Sequence, residues 1–171
     1  MDAFECVISK LDIREYNTGK NIPLEIKQKI LEAARSTGTG LNTQHWKFIV
    51  VEKKENLKRL SEDSTSGNWI SAANFAIIVL TNPKYKFHLI DAGRVLQNMQ
   101  LAAWNYGIGS GLFTGIIEEK LRRDFKIPNE FHISIIIGFG YPIKKFTGKK
   151  KNRKSMNELV YFENYGISNS L

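Results

Sequence analysis

The sequence predicts an α+β fold, and three observations carry that expectation. Residues 75–80 and 133–139 are two nearly unbroken apolar runs rich in β-branched side chains, as strands covered on both faces are. A stretch after Pro23 and another over 89–106 place apolar residues at helical spacing. Strand and helix patterns interleave without strict βα alternation, which favours α+β over a doubly wound parallel sheet. With no internal repeat, low-complexity tract or linker, a single domain over 1–171 is the simplest organisation, long enough for a real hydrophobic core.

Asp2 is placed to cap a first helix in which Phe4, Val7, Ile8 and Leu11 follow the i, i+3, i+4, i+7 spacing of one buried stripe. Residues 10–16 form a short extended segment. A Gly/Asn turn and Pro23 then open a second helix with Ile26, Ile30, Ala33 and Ala34 on one face. That helix stops at the loop 37–46, Thr-Gly-Thr-Gly-Leu-Asn-Thr-Gln-His-Trp. Two readings fit this loop. Its amides and glycine-freed N–H groups suit a planar polar heterocycle, whereas a purely structural reading makes Gly38 a left-handed helix cap and Trp46 a core filler.

A strand over 47–51 follows, then a short helix over 56–63 with Leu57 and Leu60 turned inward, and a polar loop or helix start over 64–69. The strand at 75–80 ends at Asn82-Pro83. The longest helix, 89–106, has Asp91 near its start and Gly107 as its stop. Ala92, Val95, Leu96, Met99, Ala103 and Tyr106 line one face, and Leu101, Ala102 and Trp104 add apolar surface elsewhere. A helix apolar on more than one side is a core helix or a subunit interface. Residues 109–115 read as a glycine-rich strand, 118–125 as a short helix, and 140–142 as the turn into a basic loop at 144–154. Residues 159–171 lack a helical period and are either disordered or an arm lying on another subunit.

The net charge of +8 favours an anionic partner. Lys144, Lys145, Lys149, Lys150, Lys151, Arg153 and Lys154 fall in one segment without an acid, which is either a solvated loop or an anion-binding one. Cys6 is the only cysteine, so no internal disulfide can form and a reducing compartment is expected. Acids near the N-terminus and the lack of an apolar run of ~18 residues predict a cytoplasmic protein without a membrane span. The familiar self-sufficient chemistries are missing. There is no phosphate loop, and Gly107-Ile108-Gly109-Ser110-Gly111 follows a helix instead of opening one. His45, His88 and His132 have no metal-ligand spacing, no Gly-x-Ser-x-Gly elbow exists, and Cys6 has no evident base. If the chain is an enzyme, a cofactor carries the chemistry, and neither a metal site nor a catalytic side chain is expected.

Several segments, in order through nearly the whole chain, resemble the nitroreductase family of FMN-dependent oxidoreductases. Lys10-Leu11-Asp12-Ile13-Arg14-Glu15-Tyr16 is similar to the family's Arg-Arg-Ser-x-Arg-x-Phe/Tyr segment. Residues 37–48 are similar to its Ala-Pro-Ser-x-x-Asn-x-Gln-Pro-Trp-x-Phe hallmark. Asp91-Ala92-Gly93, Gln97-Asn98-Met99 and Gly107-Ile108-Gly109-Ser110 resemble its central helix and exit, and Gly138-Phe139-Gly140-Tyr141-Pro142 with Lys151-Asn152-Arg153 its terminal elements.

The resemblance implies a mostly antiparallel central sheet flanked by helices and an obligate homodimer with shared active sites. It implies an FMN flavoprotein that takes hydride from NADH or NADPH at flavin N5 and passes it, in a ping-pong cycle, to a small electron-poor acceptor such as a nitroaromatic or quinone. Lys10, Leu11, Asp12, Arg14, Lys151 and Arg153 would surround the phosphate and ribityl chain, with the pyrimidine edge as an alternative place for Arg14. Gly38, Thr39, Gly40 and Asn42 would come from the second subunit. Ser66 and Asn68 would add polar contacts, and the backbone N–H groups around Thr114 and Gly115 would face N5. Asp12 stands where the family has serine, Leu11 where it has a second arginine, and Gly38 and His45 where it has prolines. These departures bear on cofactor affinity, since Asp12 puts an anion near a phosphate unless a cation pairs with it. The alternatives are a flavin- or nucleotide-binding protein of this fold without turnover and a basic nucleic-acid-binding module, the latter disfavoured because Phe146 is the lone aromatic in the basic segment.

Overall fold

The computed structural model describes residues 1–144 and 152–167. Its frame is a four-stranded antiparallel sheet of β1 (Lys47–Val51), β2 (Phe75–Thr81), β3 (Gly109–Phe113) and β4 (His132–Gly140), in the order β1-β2-β4-β3. The expected α+β class and antiparallel sheet are therefore observed. Every residue of β2 is buried, as its unbroken apolar run requires. Alternation along β2 divides the core. Ala76, Ile78 and Leu80 face one side, where they meet Leu57 and Leu60 of α3 (Lys54–Glu62) and Leu121 of α5 (Glu118–Phe125). Phe75, Ile77 and Val79 face the other, against Ile30 and Ala34 of α2 (Leu24–Arg35) and Val95, Met99 and Ala103 of α4 (His88–Asn105). Phe75 stacks on Phe139 with ring centroids 4.7 Å apart. Each such buried aliphatic or aromatic side chain contributes roughly 1.5–3 kcal/mol.

Local sequence explains the helix ends. Asp2 caps α1 (Ala3–Ser9) as expected: the Glu5 N–H donates to Asp2 at 2.8 Å and the Asp2 N–H to Glu5 at 3.2 Å. Gly107, at φ +71°, lets the chain reverse after α4, and the Ile108 N–H donates back to Ala103 at 3.0 Å.

One helix departs from its sequence reading. Phe4, Val7 and Ile8 do not form a buried stripe; they are exposed, Phe4 by 72%. α1 docks on α4 through its other side, with Cys6 buried and the Ser9 hydroxyl accepting from the Trp104 indole at 2.9 Å. Helical spacing marks an apolar face but not what covers it. The segment 152–167 is irregular apart from the turn Met156–Glu158, and its hydrogen bonds are local. The bulk of the basic loop, 145–151, and the end of the arm, 168–171, lie outside the described residues. Among the described residues no helix is long and apolar enough to cross a membrane, and no group of three or more His, Cys, Asp or Glu side chains could hold a metal.

Candidate cofactor site

The extended segment 10–16 runs along the open edge of β3. Asp12 bridges Ser110, and the Ile13 N–H donates to the Ser110 carbonyl at 2.8 Å. The glycines of β3 permit this approach: a Cβ on Gly111 would lie 2.5 Å from the Ile13 carbonyl oxygen, and one on Gly109 2.7 Å from Ile13 Cβ. Lys10 ion-pairs with Asp12, whose carboxylate also accepts from Gln100 of α4 at 3.2 Å. Leu11 packs, partly buried, on the core side shared with α3 and α5. The Arg14 guanidinium lies 5.6 Å above the Trp69 ring and within 3.5 Å of the Leu112 carbonyl. The buried Tyr16 hydroxyl, its pKa raised by burial, keeps its proton and shares it between the carbonyls of Ile13 at 2.7 Å and Gly138 at 3.0 Å.

The loop 64–69 closes on the same edge. The Thr65 N–H donates to the Gly115 carbonyl at 2.9 Å, and a Cβ on Gly115 would meet the Ser66 hydroxyl at 2.6 Å. Ser66, Thr114 and Gly115 are therefore neighbours. Exposed Asn68 opens the short turn Asn68–Ala72, its carbonyl accepting from Ser61 and Ser71. Trp69 lies on the sheet over Gly111 and Gly138, which face each other across β3 and β4. Its indole N–H is buried and has no acceptor among the described residues. One edge thus brings together Lys10, Leu11, Asp12, Arg14, Ser66, Asn68, Thr114 and Gly115. Its two cations and a waiting N–H beside an aromatic face suit a phosphorylated aromatic ligand, with Asp12 as the opposing charge.

The loop after α2 is built elsewhere. α2 ends on Ser36 in right-handed geometry, so Gly38 is not a left-handed cap. The left-handed positions are Leu41 (φ 52°), Asn42 (52°) and Gln44 (47°), where the loop doubles back and the Gln44 N–H donates to Thr39 at 3.1 Å. The other half of that structural reading holds: Trp46 is buried in the core against α2 and α4. Asp91, buried in the first turn of α4, fixes the loop. One of its carboxylate oxygens accepts from the Gly40 N–H at 3.0 Å and from His45 Nε2 at 3.2 Å, and the other from Arg94 at 3.3 Å. The Asn82 N–H donates to His45 Nδ1 at 3.3 Å, which leaves the imidazole proton on Nε2, facing Asp91.

The two clusters meet α4 nine residues apart, at Asp91 and at Gln100, or about 13 Å along its axis. Within one chain, Gly38, Thr39, Gly40 and Asn42 are not brought to Lys10 and Arg14. Arg153 is exposed, and its guanidinium donates to the neighbouring Asn152 carbonyl at 3.2 Å; Lys151 lies outside the described residues. Sequence reasoning gave no site role to Trp69 or Arg94, and it read Asp91 as a helix-start residue and as part of the motif resembling the family's central helix, not as the anchor of the loop. The glycines at 111 and 138, two side-chain gaps on facing strands, are the signal for a large ring lying above them.

Comparison with known proteins agrees with this architecture. A family model described as the nitroreductase family matches residues 9–82 and 68–141. A candidate NADH dehydrogenase/NAD(P)H nitroreductase of Methanothermobacter thermautotrophicus is 32% identical over 83% of this chain and 78% of its own length. A protein of the same description from Archaeoglobus fulgidus is 33% identical over 82% and 86%. Among solved structures, an FMN-dependent nitroreductase from Clostridium difficile R20291 superposes with a TM-score of 0.85 at 26% identity, covering 95% of this chain and 99% of that one. The family model and both archaeal relatives show that the chain belongs to the nitroreductase family.

Proposed function

We propose that this chain is an NAD(P)H-dependent oxidoreductase that uses FMN and reduces a small electron-poor acceptor such as a nitroaromatic or quinone. The observation that carries the reading is the edge of β3, where Lys10 and Arg14 lie on one short segment and Arg14 sits over Trp69, whose buried indole N–H has no partner among the described residues. The names of the archaeal relatives and of the clostridial structure support it. Lys10 and Arg14 would hold the phosphate and ribityl chain, each well-formed contact contributing about 1.5–3 kcal/mol, with Lys151 and Arg153 adding charge. Arg14 could serve the pyrimidine edge instead. Ser66 and Asn68 would add polar contacts, and the N–H groups around Thr114 and Gly115 would face N5. FMN, when bound, would supply hydride-transfer chemistry that no side chain here provides. The protein contributes position and positive charge, so no side chain need act as acid or base.

The working unit is a homodimer, in which residues 38–42 of a second copy border the flavin. Two features support this: the separation of the half-sites along α4, and the apolar side chains a single chain leaves in water. Among these are Phe4, Val7, Leu89 and Ile90, together with Leu41, which is 90% exposed on a strained backbone. Freshly purified protein, reconstituted with FMN and desalted, should be yellow, sediment as a dimer and be bleached by NADH or NADPH until an acceptor restores the colour. Colourless protein that oxidises neither nicotinamide with any acceptor would end the proposal. The Lys10–Asp12 ion pair favours one second reading, a flavin-binding protein without turnover; a chromophore that neither nicotinamide bleaches would identify it.

A further inference from the structure

A concavity lies apart from the β3 edge, between the end of α2 and the outward face of α4. It encloses about 520 Å³, within the range of small-molecule sites, and is lined by Thr37, Gly38, Ile90, Arg94, Gln97 and Asn98 among others. Arg94 is the cation among the described residues that line it. The Arg94 side chain is 51% exposed and donates through Nη1 to Asp91, while its Nη2 lies 2.8 Å from where a Cβ on Gly38 would stand. Asp91 sits behind it, buried, with both oxygens engaged by Gly40, His45 and Arg94. A molecule in the groove therefore meets the guanidinium before the carboxylate. The acid at the α2 end, Glu32, is tied to Arg35 and Ser36. The remaining lining is neutral: Thr37, Gln97 and Asn98 offer hydrogen-bonding groups, with Asn98 donating to Thr37 at 2.7 Å, Ile90 is apolar, and a Cβ on Gly93 would meet nothing within 4 Å. A planar fork with donors to spare, beside amides and open space, recognises a carboxylate or phosphate.

We propose that this groove is an anion-selective subsite, in which Arg94 binds the carboxylate or phosphate of a small molecule exchanging electrons at the shared site. The proposal rests on the dimeric reading above, which sets residues 38–42, and with them Arg94, beside a flavin held by the other copy. The subsite makes Arg94 a specificity residue: neutral substrates react, and anionic ones bind more tightly.

The test pairs each anion with a neutral analogue, using the full-length FMN-loaded protein: 4-nitrobenzoate against 4-nitrobenzamide as acceptors, and NADPH against NADH as reductants. Wild type should show a KM about tenfold lower for the anionic member of one pair, the size expected of a charge-assisted contact. Arg94→Gln should bring that ratio to about one, and Arg94→Lys should retain part of it. The acceptor arm assigns the anion to a substrate carboxylate, and the reductant arm to a nucleotide phosphate. Calorimetric titration with benzoate and benzamide reads the subsite without turnover, and only benzoate should bind, more weakly at high salt. Three results overturn the proposal: no discrimination in either pair, a preference that survives Arg94→Gln, or a variant that dissociates the dimer while the preference stays. Any of these can occur in a yellow, active enzyme, so they differ from failure of the FMN reading, in which neither nicotinamide is oxidised at all.

Discussion

His45 Nε2 donates to Asp91 Oδ2 across 3.2 Å, and the two side chains are 1% and 2% exposed. This buried contact joins a loop with three left-handed non-glycine residues to the first turn of α4. The Gly40 N–H shares the same oxygen, so one carboxylate holds both ends of the loop's bend.

Asp91→Asn should therefore cost stability out of proportion to its size. The amide turns one acceptor into a donor facing Gly40 N–H and His45 Nε2–H or facing Arg94, and a hydrogen bond to a charged group contributes about 1.5–3 kcal/mol. We expect a loss of roughly 2–3 kcal/mol in urea unfolding with an unchanged m value. A change below about 0.5 kcal/mol would show that the loop holds itself.

Gly138→Ala tests the seat of Trp69. The new methyl would stand 2.4 Å from Ile70 Cδ1 and 3.0 Å from Trp69 Cζ3. Ile70 can rotate, but the indole is a rigid plane lying over β3 and β4, so overpacking of about 1–3 kcal/mol is expected. The near-ultraviolet circular dichroism of Trp69 should change with it, and Arg14, which lies over that ring, should lose FMN affinity in parallel.

Charge at the β3 edge can be titrated by substitution. Asp12→Ser removes the carboxylate that pairs with Lys10 and should tighten FMN about tenfold while leaving riboflavin, which lacks the phosphate, unaffected. Arg14→Ala should weaken FMN about 10- to 100-fold with the fold kept. Fluorescence quenching titrations with both flavins separate these outcomes. Equal effects on FMN and riboflavin would remove the phosphate from this edge.

His88 makes stability depend on pH. Burial, and after it the nearby His132 and His45, lower its pKa from the ordinary 6.5. In this window the unfolded chain binds more protons than the folded one, so the contribution is fully present above pH 6.5 and declines as pH falls towards the depressed value. His88 Nδ1 lies 2.8 Å from the Thr81 hydroxyl, which in turn contacts Ser134 at 2.7 Å, and His132 Nδ1 joins Ser134 at 3.1 Å. Denaturation midpoints at pH 7.5, 6.5 and 5.5 should fall in that order, and His88→Asn should flatten the slope. An unchanged slope in the variant would assign the effect to other groups.

Much of this was legible beforehand because local physics decides it. The apolar runs at 75–80 and 133–139 could only be doubly covered strands, and Leu57 and Leu60 only an inward helix face. Gly107 read correctly as a stop because the chain needs a positive φ there. Lys10 and Arg14 stand out only through the resemblance of residues 10–16 to the family's N-terminal segment, since nothing in their local spacing marks a ligand. Phe4, Val7 and Ile8 misled because an amphipathic pattern is the same whether its cover is this chain or another.

The sequence by itself determined the class, the strands and helices, and the family, since each follows from periodicity, turn chemistry or ordered local motifs. Only the tertiary structure decided that Lys10 is already paired with Asp12, that Trp69 fills the gap left by two facing glycines, and that one carboxylate on α4 anchors the loop carrying Gly40 and His45. Apart from the local Lys10–Asp12 pair, those contacts join residues 46 and 51 positions apart or depend on rings lying across the sheet. No local pattern encodes such a distance; it is set only when the layers close on one another.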